Sequence, residues 1–343
     1  MTSLSSLLGS ESREVPAVLE RQERVLSRQI ADLVTAIRRQ PPPAIITCGR
    51  GSSAHAATFG KHLFERYVGL PVAAAAPVIA SVYHQTLNLR GQLFLAISQS
   101  GRSTDLIATA QMARSAGAIT AAIVNNMDSP LARTCEYALS MEAGPELSVA
   151  ASKSFVASLA ALLRLTAEWT DDVRMREALA RLPARLASAI DLDWSAALPR
   201  LARAQSVITI GRGPTLAIAR EAALKLKEAC NIHAEAFSSA EFQHGPISLV
   251  EQTYPILVFA PTDEALESTE TLLVGLSGKG AAVFTTGQVA DAGGALPTLK
   301  PDQPEADALC LIQTFYQLLP QLAASRGSDV DRPRHLHKVT STR

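Results

Sequence analysis

The sequence is poor in aromatic residues, which make up 5% of its 343 positions, and it has no excess of charge of either sign. Its 32 basic residues equal its 32 acidic residues in number. A balanced chain gains no general attraction to polyanions, so the composition argues against nucleic acid and anionic membranes as partners. A small anionic substrate needs only a local site, which net charge does not exclude.

Long apolar runs and paired cysteines are also missing. No stretch approaches the roughly 18 uninterrupted apolar residues that a membrane helix requires. The first residues, MTSLSSLLGSESREVP, lack the basic start of a secretory signal. None of the four cysteines has CxxC spacing to another, and no cluster of Cys and His suggests zinc. We therefore expect a cytoplasmic protein with reduced thiols and with no metal or cofactor.

What the sequence does contain is an alternation of helical and strand-like segments. Helical periodicity runs from Val15 to Arg39, and the prolines at 41–43 end it. Residues 44–53, AIITCGRGSS, predict a strand, a Gly-rich turn and the start of a helix. Further strand-like runs at 93–101 and 118–126 are separated by a helical stretch. This order predicts an α/β domain with a parallel sheet.

The same order returns later in the chain. Residues 206–215, SVITIGRGPT, share I-T-x-G-R-G with residues 44–53, which places Gly213 162 positions after Gly51. Phe259 follows Ile97 by the same interval, and AVFTTG follows AAIVNN likewise. Three segments in one register predict an internal duplication. We expect a helical segment over 1–40, domains over 41–185 and 195–325, and a tail over 326–343.

The two halves differ where their second strand ends. In the first half the hydroxyl-rich segment 98–104, SQSGRST, precedes a helix, and a helix N-terminus at the carboxyl end of a strand suits phosphate. The alternative is a Ser or Thr cap on a structural helix. The matching segment 260–263, APTD, has two groups that cannot donate, Ala260 and Pro261, in place of Ser98 and Gln99, and it gains an acid. We expect one phosphate site per chain, in the first domain.

The second half instead carries ionisable groups on a helix. Glu221, Lys225 and Glu228 are spaced so that all three lie on one side of it. Spacing alone favours an exposed, salt-bridged face. The position of the helix, after a Gly-rich turn at the end of a predicted strand, favours a site. His244 follows in a polar segment, where the plain alternative is a loop histidine bonded to backbone.

These segments together resemble the sugar-isomerase (SIS) family from about residue 15 to the C-terminus. The matching motifs are CGRGSS, ISQSGRST, LSVAASKSF, EAALKLKEACNIHAEAFSSAEFQHGP and DVDRPRHLHKVT. The similarity is to the isomerase half of glutamine–fructose-6-phosphate aminotransferases and, more closely, to type II glucosamine-6-phosphate deaminases. The resemblance implies an α/β fold of two duplicated SIS domains, each a flavodoxin-like parallel sheet flanked by helices.

The resemblance also implies a phosphosugar substrate. The residues that match its phosphate-binding loop are Ser98, Gln99, Ser100 and Ser103, and Ala150 and Ser152 match a loop that lines the sugar. One departure concerns the aminotransferase pattern C-G-T-S, which here becomes Cys48-Gly49-Arg50-Gly51 with Ser52 one place later. Either Ser52 takes over that phosphate contact or the loop rearranges.

Four further residues match the catalytic positions of the family. Glu228 matches the residue that moves a proton between C1 and C2, and Lys225 matches its charged neighbour. His244 matches the ring-opening histidine, which in the family reaches into the partner subunit's site, so a homodimer is implied. Lys338 matches the lysine that contacts the substrate carbonyl, which implies that the tail closes over the site.

The expected reaction is the deamination of glucosamine 6-phosphate with water, giving fructose 6-phosphate and ammonia. The first strand is predicted near residue 44, too early for a preceding glutaminase domain, so we do not expect glutamine to donate nitrogen. Enzymatic alternatives are amination by free ammonia, a fructosamine-6-phosphate deglycase and action on a galactosamine derivative. A phosphosugar sensor is the alternative outside catalysis, and it would not need Glu228, His244 and Lys338.

Overall fold

Short strands alternate with helices through residues 6–287, 294–336 and 338, which are the residues that the computed structural model describes. They form two parallel sheets. The first sheet contains β1 (Ile45–Cys48), β2 (Val72–Ala74), β3 (Leu93–Ser98), β4 (Ile119–Val124) and β5 (Tyr137–Ser140). The second contains β6 (Ser206–Gly211), β7 (His233–Ser238), β8 (Pro255–Phe259), β9 (Ala282–Thr286) and β10 (Ala295–Leu296).

The helices vary from a single turn to seven turns or so. They are α1 (Leu7–Arg13), α2 (Val15–Arg39), α3 (Ser52–Leu63), α4 (Val78–Ser81), α5 (Thr104–Ser115), α6 (Pro130–Thr134), α7 (Lys153–Thr170), α8 (Val173–Ile190), α9 (Leu198–Leu201), α10 (Thr215–Cys230), α11 (Ser239–Phe242), α12 (Leu266–Ser277) and α13 (Pro304–Ser325). A π-helix spans Phe64–Val68, and 3-10 helices span Ser195–Ala197 and Pro246–Leu249. The periodicity that predicted a helix from Val15 to Arg39 is confirmed at both ends.

The two sheets have the same strand order. The first runs β2-β1-β3-β4-β5 and the second β10-β9-β8-β6-β7. Counted from its own first strand, each sheet is ordered 2-1-3-4-5, which is the flavodoxin-like arrangement. Ile45 in β1 and Val207 in β6 keep the interval of 162 positions seen in the sequence. The predicted duplication and fold class are therefore confirmed.

The described chain divides into two compact units, each built around one sheet. The first unit, with β1–β5, consists of Ala17–Glu146 and Lys153–Ala180 and includes Lys338 from the chain end. The second unit, with β6–β10, consists of Arg181–Leu336, Leu147–Ser152 and the N-terminal segment through Pro16. A short internal segment and the chain end thus each belong to a different unit from their sequence neighbours.

The core of each unit lies against its central strands. Every residue of β3 and of β8 is buried, as expected for parallel strands covered on both faces. The first core includes Cys48, Phe94, Ala96, Leu106, Ala122 and Leu131. The second includes Ile208, Ile210, Phe242, Ile256, Val258 and Leu272. These rigid centres fix the loops that follow the strands.

The segment after α13 is held to the second unit through Arg326. Its guanidinium donates hydrogen bonds of 2.7 to 2.8 Å to the carbonyls of Cys230, Ala202 and Ala204. The far end of the predicted tail, His337 and residues 339–343, lies outside the described residues. Among the described helices, none is both long and apolar enough to cross a bilayer.

Candidate functional site

A cavity of about 310 Å³ opens where β1 and β3 end in the first unit. Its size is at the lower end of the roughly 300–1,000 Å³ typical of ligand pockets. The polar residues that line it are Arg50, Ser53, Ser98, Gln99, Ser100, Ser103 and Lys338. In a 2-1-3-4-5 sheet the order of strands reverses between β1 and β3, and ligands of such sheets bind at this point.

The structure brings the four predicted residues of the phosphate-binding loop together on this cavity. Ser98 ends β3, Gln99 and Ser100 follow it, and Ser103 directly precedes α5. In the loop after β1, Ser53 rather than Ser52 lines the cavity of the described structure, and Ser52 lies at the first position of α3. The phosphate roles of these residues stay predictions.

Hydroxyl groups of this loop are arranged to donate hydrogen bonds. Ser98 Oγ accepts from the Gly101 N–H at 3.1 Å, and Ser100 Oγ accepts from the Arg102 N–H at 3.3 Å. A hydroxyl that accepts in this way keeps its own hydrogen for another partner. Gly101 has φ of 62°, and a Cβ there would lie 2.1 Å from Ser129 Oγ, so the turn requires glycine.

Ser103 bears directly on the two sequence interpretations of this segment. It occupies the N-cap position of the 12-residue helix α5, but in the described structure its side chain makes no capping hydrogen bond. Ser103 lines the cavity. A purely structural cap would accept a hydrogen bond from the first turn. The geometry therefore favours a ligand-binding loop at the positive end of a helix.

Lys338 reaches the same cavity from the chain end. Its Nζ lies 3.1 Å from Oε2 of Glu146, whose side chain is fully buried. Glu146 also accepts hydrogen bonds from the backbone and hydroxyl of Ser154, at 3.1 and 2.6 Å. A carboxylate fixed by these two donors holds the ammonium group in place. The predicted contact of Lys338 with a substrate carbonyl remains a prediction.

The ionisable helix face of the second unit is buried, so the exposed, salt-bridged face that spacing favoured is wrong. Lys225 Nζ lies 3.3 Å from Glu221 Oε1 and 2.6 Å from Glu228 Oε2. The side chains of Lys225 and Glu221 are 1% and 0% exposed, whereas that of Glu228 is 22% exposed. Tyr316 of α13 donates a further hydrogen bond to Glu221. Only Glu228 of this buried triad keeps access to solvent.

The charges of the buried triad set the protonation state of its lysine. Burial by itself would lower the pKa of Lys225, but the carboxylates of Glu221 and Glu228 outweigh burial and raise this pKa above its ordinary value. Lys225 is therefore a cation at neutral pH. The Lys225 ammonium lies 2.6 Å from Oε2 of Glu228 and fixes the position of that carboxyl group.

The remaining predicted residues lie on other elements of the second unit. His244 is exposed in the turn between α11 and the following 3-10 helix, and its backbone N–H bonds to the Glu241 carbonyl at 3.0 Å. Ala150 and Ser152 are buried in the segment Leu147–Ser152. Across the described residues, no three His, Cys, Asp or Glu side chains form a group that could hold a metal ion.

A second cavity, of about 600 Å³, lies beyond β8 and β9 in the second unit. Its polar groups are bound to one another. Thr262 Oγ1 donates to Asp307 Oδ2 at 2.8 Å, and Arg185 pairs with Asp307 Oδ1 at 2.7 Å. The hydroxyl at the position matching Ser100 is thus used internally, which supports the expectation of a phosphate site in the first half.

Comparison with known proteins shows which family has this arrangement. Residues 40–167 and 200–291 match the SIS domain, so the match covers more than half of the chain. The chain belongs to the SIS domain family. Its first matched segment contains residues 98–104, here called the serine loop. Its second contains the buried triad of Glu221, Lys225 and Glu228. The predicted resemblance is confirmed at the level of the family.

Several relatives of this SIS-domain chain are known. The glutamine–fructose-6-phosphate aminotransferase of Caulobacter vibrioides is 33% identical over 312 residues, covering 86% of this chain and 51% of that protein. The chain thus spans about half the length of the curated relatives it matches. A solved structure assigned as a phosphosugar isomerase from Silicibacter pomeroyi is 40% identical, with TM-score 0.91 and coverage of 95% of this chain and 100% of that one.

Two further solved structures extend the comparison. The C-terminal domain of the Francisella tularensis glucosamine-fructose-6-phosphate aminotransferase has TM-score 0.85 at 26% identity, covering 96% of this chain and 98% of that one. A Thermotoga maritima glucosamine-6-phosphate deaminase has TM-score 0.73 at 22% identity, covering 96% of this chain and all of that one. The second likeness is one of fold alone.

The structure also identifies site residues that sequence reasoning did not select. Ser53 and Arg50 line the cavity of the first unit, Asp105 pairs with Arg50, and Glu146 pairs with Lys338. Only Arg50 had a signal in the sequence, as a departure from the family pattern. Asp105 and Glu146 lie 55 and 192 positions from their partners, so no local spacing announces them.

Proposed function

We propose that this chain is a phosphosugar isomerase that deaminates glucosamine 6-phosphate to fructose 6-phosphate and ammonia. The observation that carries the proposal is the buried triad, in which Lys225 is enclosed and Glu228 keeps one face toward solvent. A carboxylate fixed by a buried cation is a suitable base for the proton transfer of an aldose–ketose isomerase. A phosphosugar sensor would not need such a group.

The phosphate end of the substrate is assigned to the serine loop. The hydroxyls of Ser98, Ser100 and Ser103 and the N-terminus of α5 supply hydrogen-bond donors without a full charge. Fixing a remote group orients the carbons that react. The loop therefore supplies position, and the second unit supplies the groups that move protons.

The proton transfers follow in order. His244 moves a proton from O1 to the ring oxygen, which opens the ring, and an imidazole can both accept and donate a proton in such an exchange. The side chain of His244 is exposed, so we propose that it acts in the site of a partner subunit. Glu228 then removes the C2 proton and returns it to C1, while O1 gains one proton and the amino nitrogen loses one. The product is a C2 imine, which water hydrolyses to the ketone and ammonia.

The two lysines have different parts in this scheme. Lys225 bonds Glu228 through Oε2, so we assign Oε1 to take the C2 proton. Because Lys225 is enclosed by two carboxylates, it is a positioning residue for Glu228 rather than the group that stabilises enolate-like charge on the substrate. That stabilisation falls to Lys338, which is 26% exposed and lines the cavity.

An ammonia-release assay tests the proposal. The substrates are glucosamine 6-phosphate, N-acetylglucosamine 6-phosphate and galactosamine 6-phosphate, and only the first should release ammonia. Glu228→Gln should abolish release and retain phosphosugar binding, while Glu251→Gln, which changes an exposed carboxylate of the same unit, should retain both. Full activity of Glu228→Gln would overturn the assignment. Release of amino acid from fructosamine 6-phosphates in place of ammonia would identify a deglycase.

A further inference from the structure

A fixed guanidinium group stands on the wall of the serine-loop cavity. Arg50 follows β1 and lines the cavity together with the loop after β3. Its Nε and NH2 groups donate hydrogen bonds of 3.0 and 2.8 Å to one oxygen, Oδ2 of Asp105. These bonds use two of the five donors that a guanidinium offers. The site therefore holds an oriented cation in addition to its hydroxyls.

The partner of Arg50 is fixed more firmly than Arg50 itself. Asp105 lies in the first turn of α5 and its side chain is fully buried, whereas the side chain of Arg50 is 53% exposed. The other oxygen of Asp105 accepts the Leu106 N–H at 2.8 Å. A buried carboxylate anchored to a helix thus orients a guanidinium whose outer part reaches solvent.

The same design recurs at the second cation of the cavity. Lys338 is 26% exposed, and its partner Glu146 is fully buried. In both pairs the carboxylate is hidden and the cation is accessible. A ligand that enters the cavity consequently meets two positive groups although the four charges sum to zero. Such a surface suits an anion, and guanidinium binds phosphate oxygens in pairs.

We propose that Arg50, oriented by Asp105, is a second anchor for the phosphate monoester of the substrate, beside the serine loop. This inference rests on the proposed phosphosugar function. Arg50 and its neighbour Gly51 carry no hydroxyl, so the charged donors of the guanidinium are what this turn offers to a ligand. The affinity of the cavity for phosphate should therefore depend on the charge of the ligand.

Calorimetric binding to the turnover-deficient Glu228→Gln protein tests the inference. The probes are glucosamine 6-phosphate, inorganic phosphate and unphosphorylated glucosamine. Arg50→Gln should weaken both phosphate-bearing probes by about tenfold or more, the loss typical of a hydrogen bond to a charged group. Binding of glucosamine itself should not change. Arg50→Lys should recover part of the affinity, because it restores charge without the fork of donors.

Two controls separate binding from structure. Arg90→Gln removes the same charge from an exposed position before β3, away from the strand end that forms the cavity, and should alter affinity by less than about twofold, since exposed charges are screened. Arg50→Gln leaves Asp105 buried without its cation, so the double variant Arg50→Gln/Asp105→Asn removes both charges together. If Arg50 only stabilises the loop, the double variant should bind phosphate like the parent. If Arg50 binds phosphate, the affinity of the double variant for phosphate stays low.

The outcomes also separate this inference from the deaminase proposal. Unchanged phosphate affinity in Arg50→Gln, or full recovery in the double variant, overturns the role of Arg50. A parent that binds neither phosphate-bearing probe overturns it as well. If Arg50→Gln loses phosphate affinity but the unmodified chain releases no ammonia from glucosamine 6-phosphate, the role of Arg50 is supported. In that case only the deaminase proposal is refuted.

Discussion

Replacing Lys225 with Met should destabilise the second unit far more than its change in volume suggests. The two side chains are similar in length, so packing is largely kept. The ammonium group, however, lies 3.3 Å from Glu221 and 2.6 Å from Glu228. Glu221 is fully buried, and its carboxylate would lose its cation. Removing one partner of a buried ion pair costs about 3–5 kcal/mol, and we expect Lys225→Met to fall in this range.

Comparison variants test the physical origin of that cost. Glu228→Gln removes the partly exposed carboxylate and leaves Lys225 paired with Glu221, so we expect a loss of about 1 kcal/mol. The double variant Lys225→Met/Glu221→Gln removes the buried cation together with the buried anion. Because uncharged replacements of a buried ion pair are often neutral, we expect this variant to regain most of the stability lost in Lys225→Met.

The loss of stability in Lys225→Met should change with pH in a definite direction. Without Lys225, burial disfavours the ionised form of Glu221 and raises its pKa above the unfolded value of about 4.3. The folded variant then holds a proton that its unfolded chain loses, so its free energy of unfolding falls as pH rises above that value. In the parent the pKa of Lys225 is raised, so the cation persists through this range. The loss in free energy of unfolding caused by Lys225→Met should therefore be smaller at pH 5 than at pH 8.

Urea unfolding followed by tryptophan fluorescence can measure the stability of the second unit alone. The chain has two tryptophans, Trp169 in the first unit and Trp194 in the second. Trp194 is 2% exposed and packs 6.1 Å from the ring of Phe259 in β8. In a Trp169→Phe background its emission reports on that unit. An equal midpoint for Lys225→Met and its parent, or an equal deficit at both pH values, would refute the reasoning.

Three further outcomes follow from burial and capping. Burial raises the pKa of all four thiols to about 12, so none should react with a disulfide reagent at pH 8 until denaturant is added, when four react: Cys48, Cys135, Cys230 and Cys310. Ser103→Ala should weaken phosphate binding without loss of stability, whereas Ser129→Ala, which removes the cap of α6, should cost about 1 kcal/mol. Glu146→Gln should loosen Lys338 and speed tryptic loss of residues 339–343, measured by mass.

Much of the fold could be predicted because it rests on local patterns and on repetition. The central strands β1, β3, β6 and β8 are continuous apolar runs followed by turn residues, which single them out in the sequence. The short edge strands could not be found in this way. Strand β7, HAEAFS, has exposed His233 and Glu235 and only two buried residues, and it is a strand because it pairs with β6 along six residues. Such pairing depends on distant neighbours.

The parts of the candidate site that could be predicted are likewise those that rest on local features of the sequence. The serine loop was identified from its hydroxyls and its position before a helix, both of which are local features. The burial of Lys225 was not, because spacing on a helix is the same whether a face meets water or another helix. Here α13 packs on α10, and its Tyr316 bonds Glu221 from 95 positions away. Burial of an ion pair is a tertiary property that spacing does not encode.

The two sheets have identical topology, but hydroxyls at their edges differ in the direction of their hydrogen bonds. After β3, the hydroxyls of Ser98 and Ser100 accept from backbone N–H groups and so keep hydrogens for a ligand. After β6 and β8, the hydroxyls of Thr215 and Thr262 donate inward, to the Phe259 carbonyl and to Asp307. Strand order makes both edges available for binding, but of these four hydroxyls only Ser98 and Ser100 keep a hydrogen for a ligand. Under the proposed function, a duplicated fold would separate anchoring from proton transfer by changes confined to its loops.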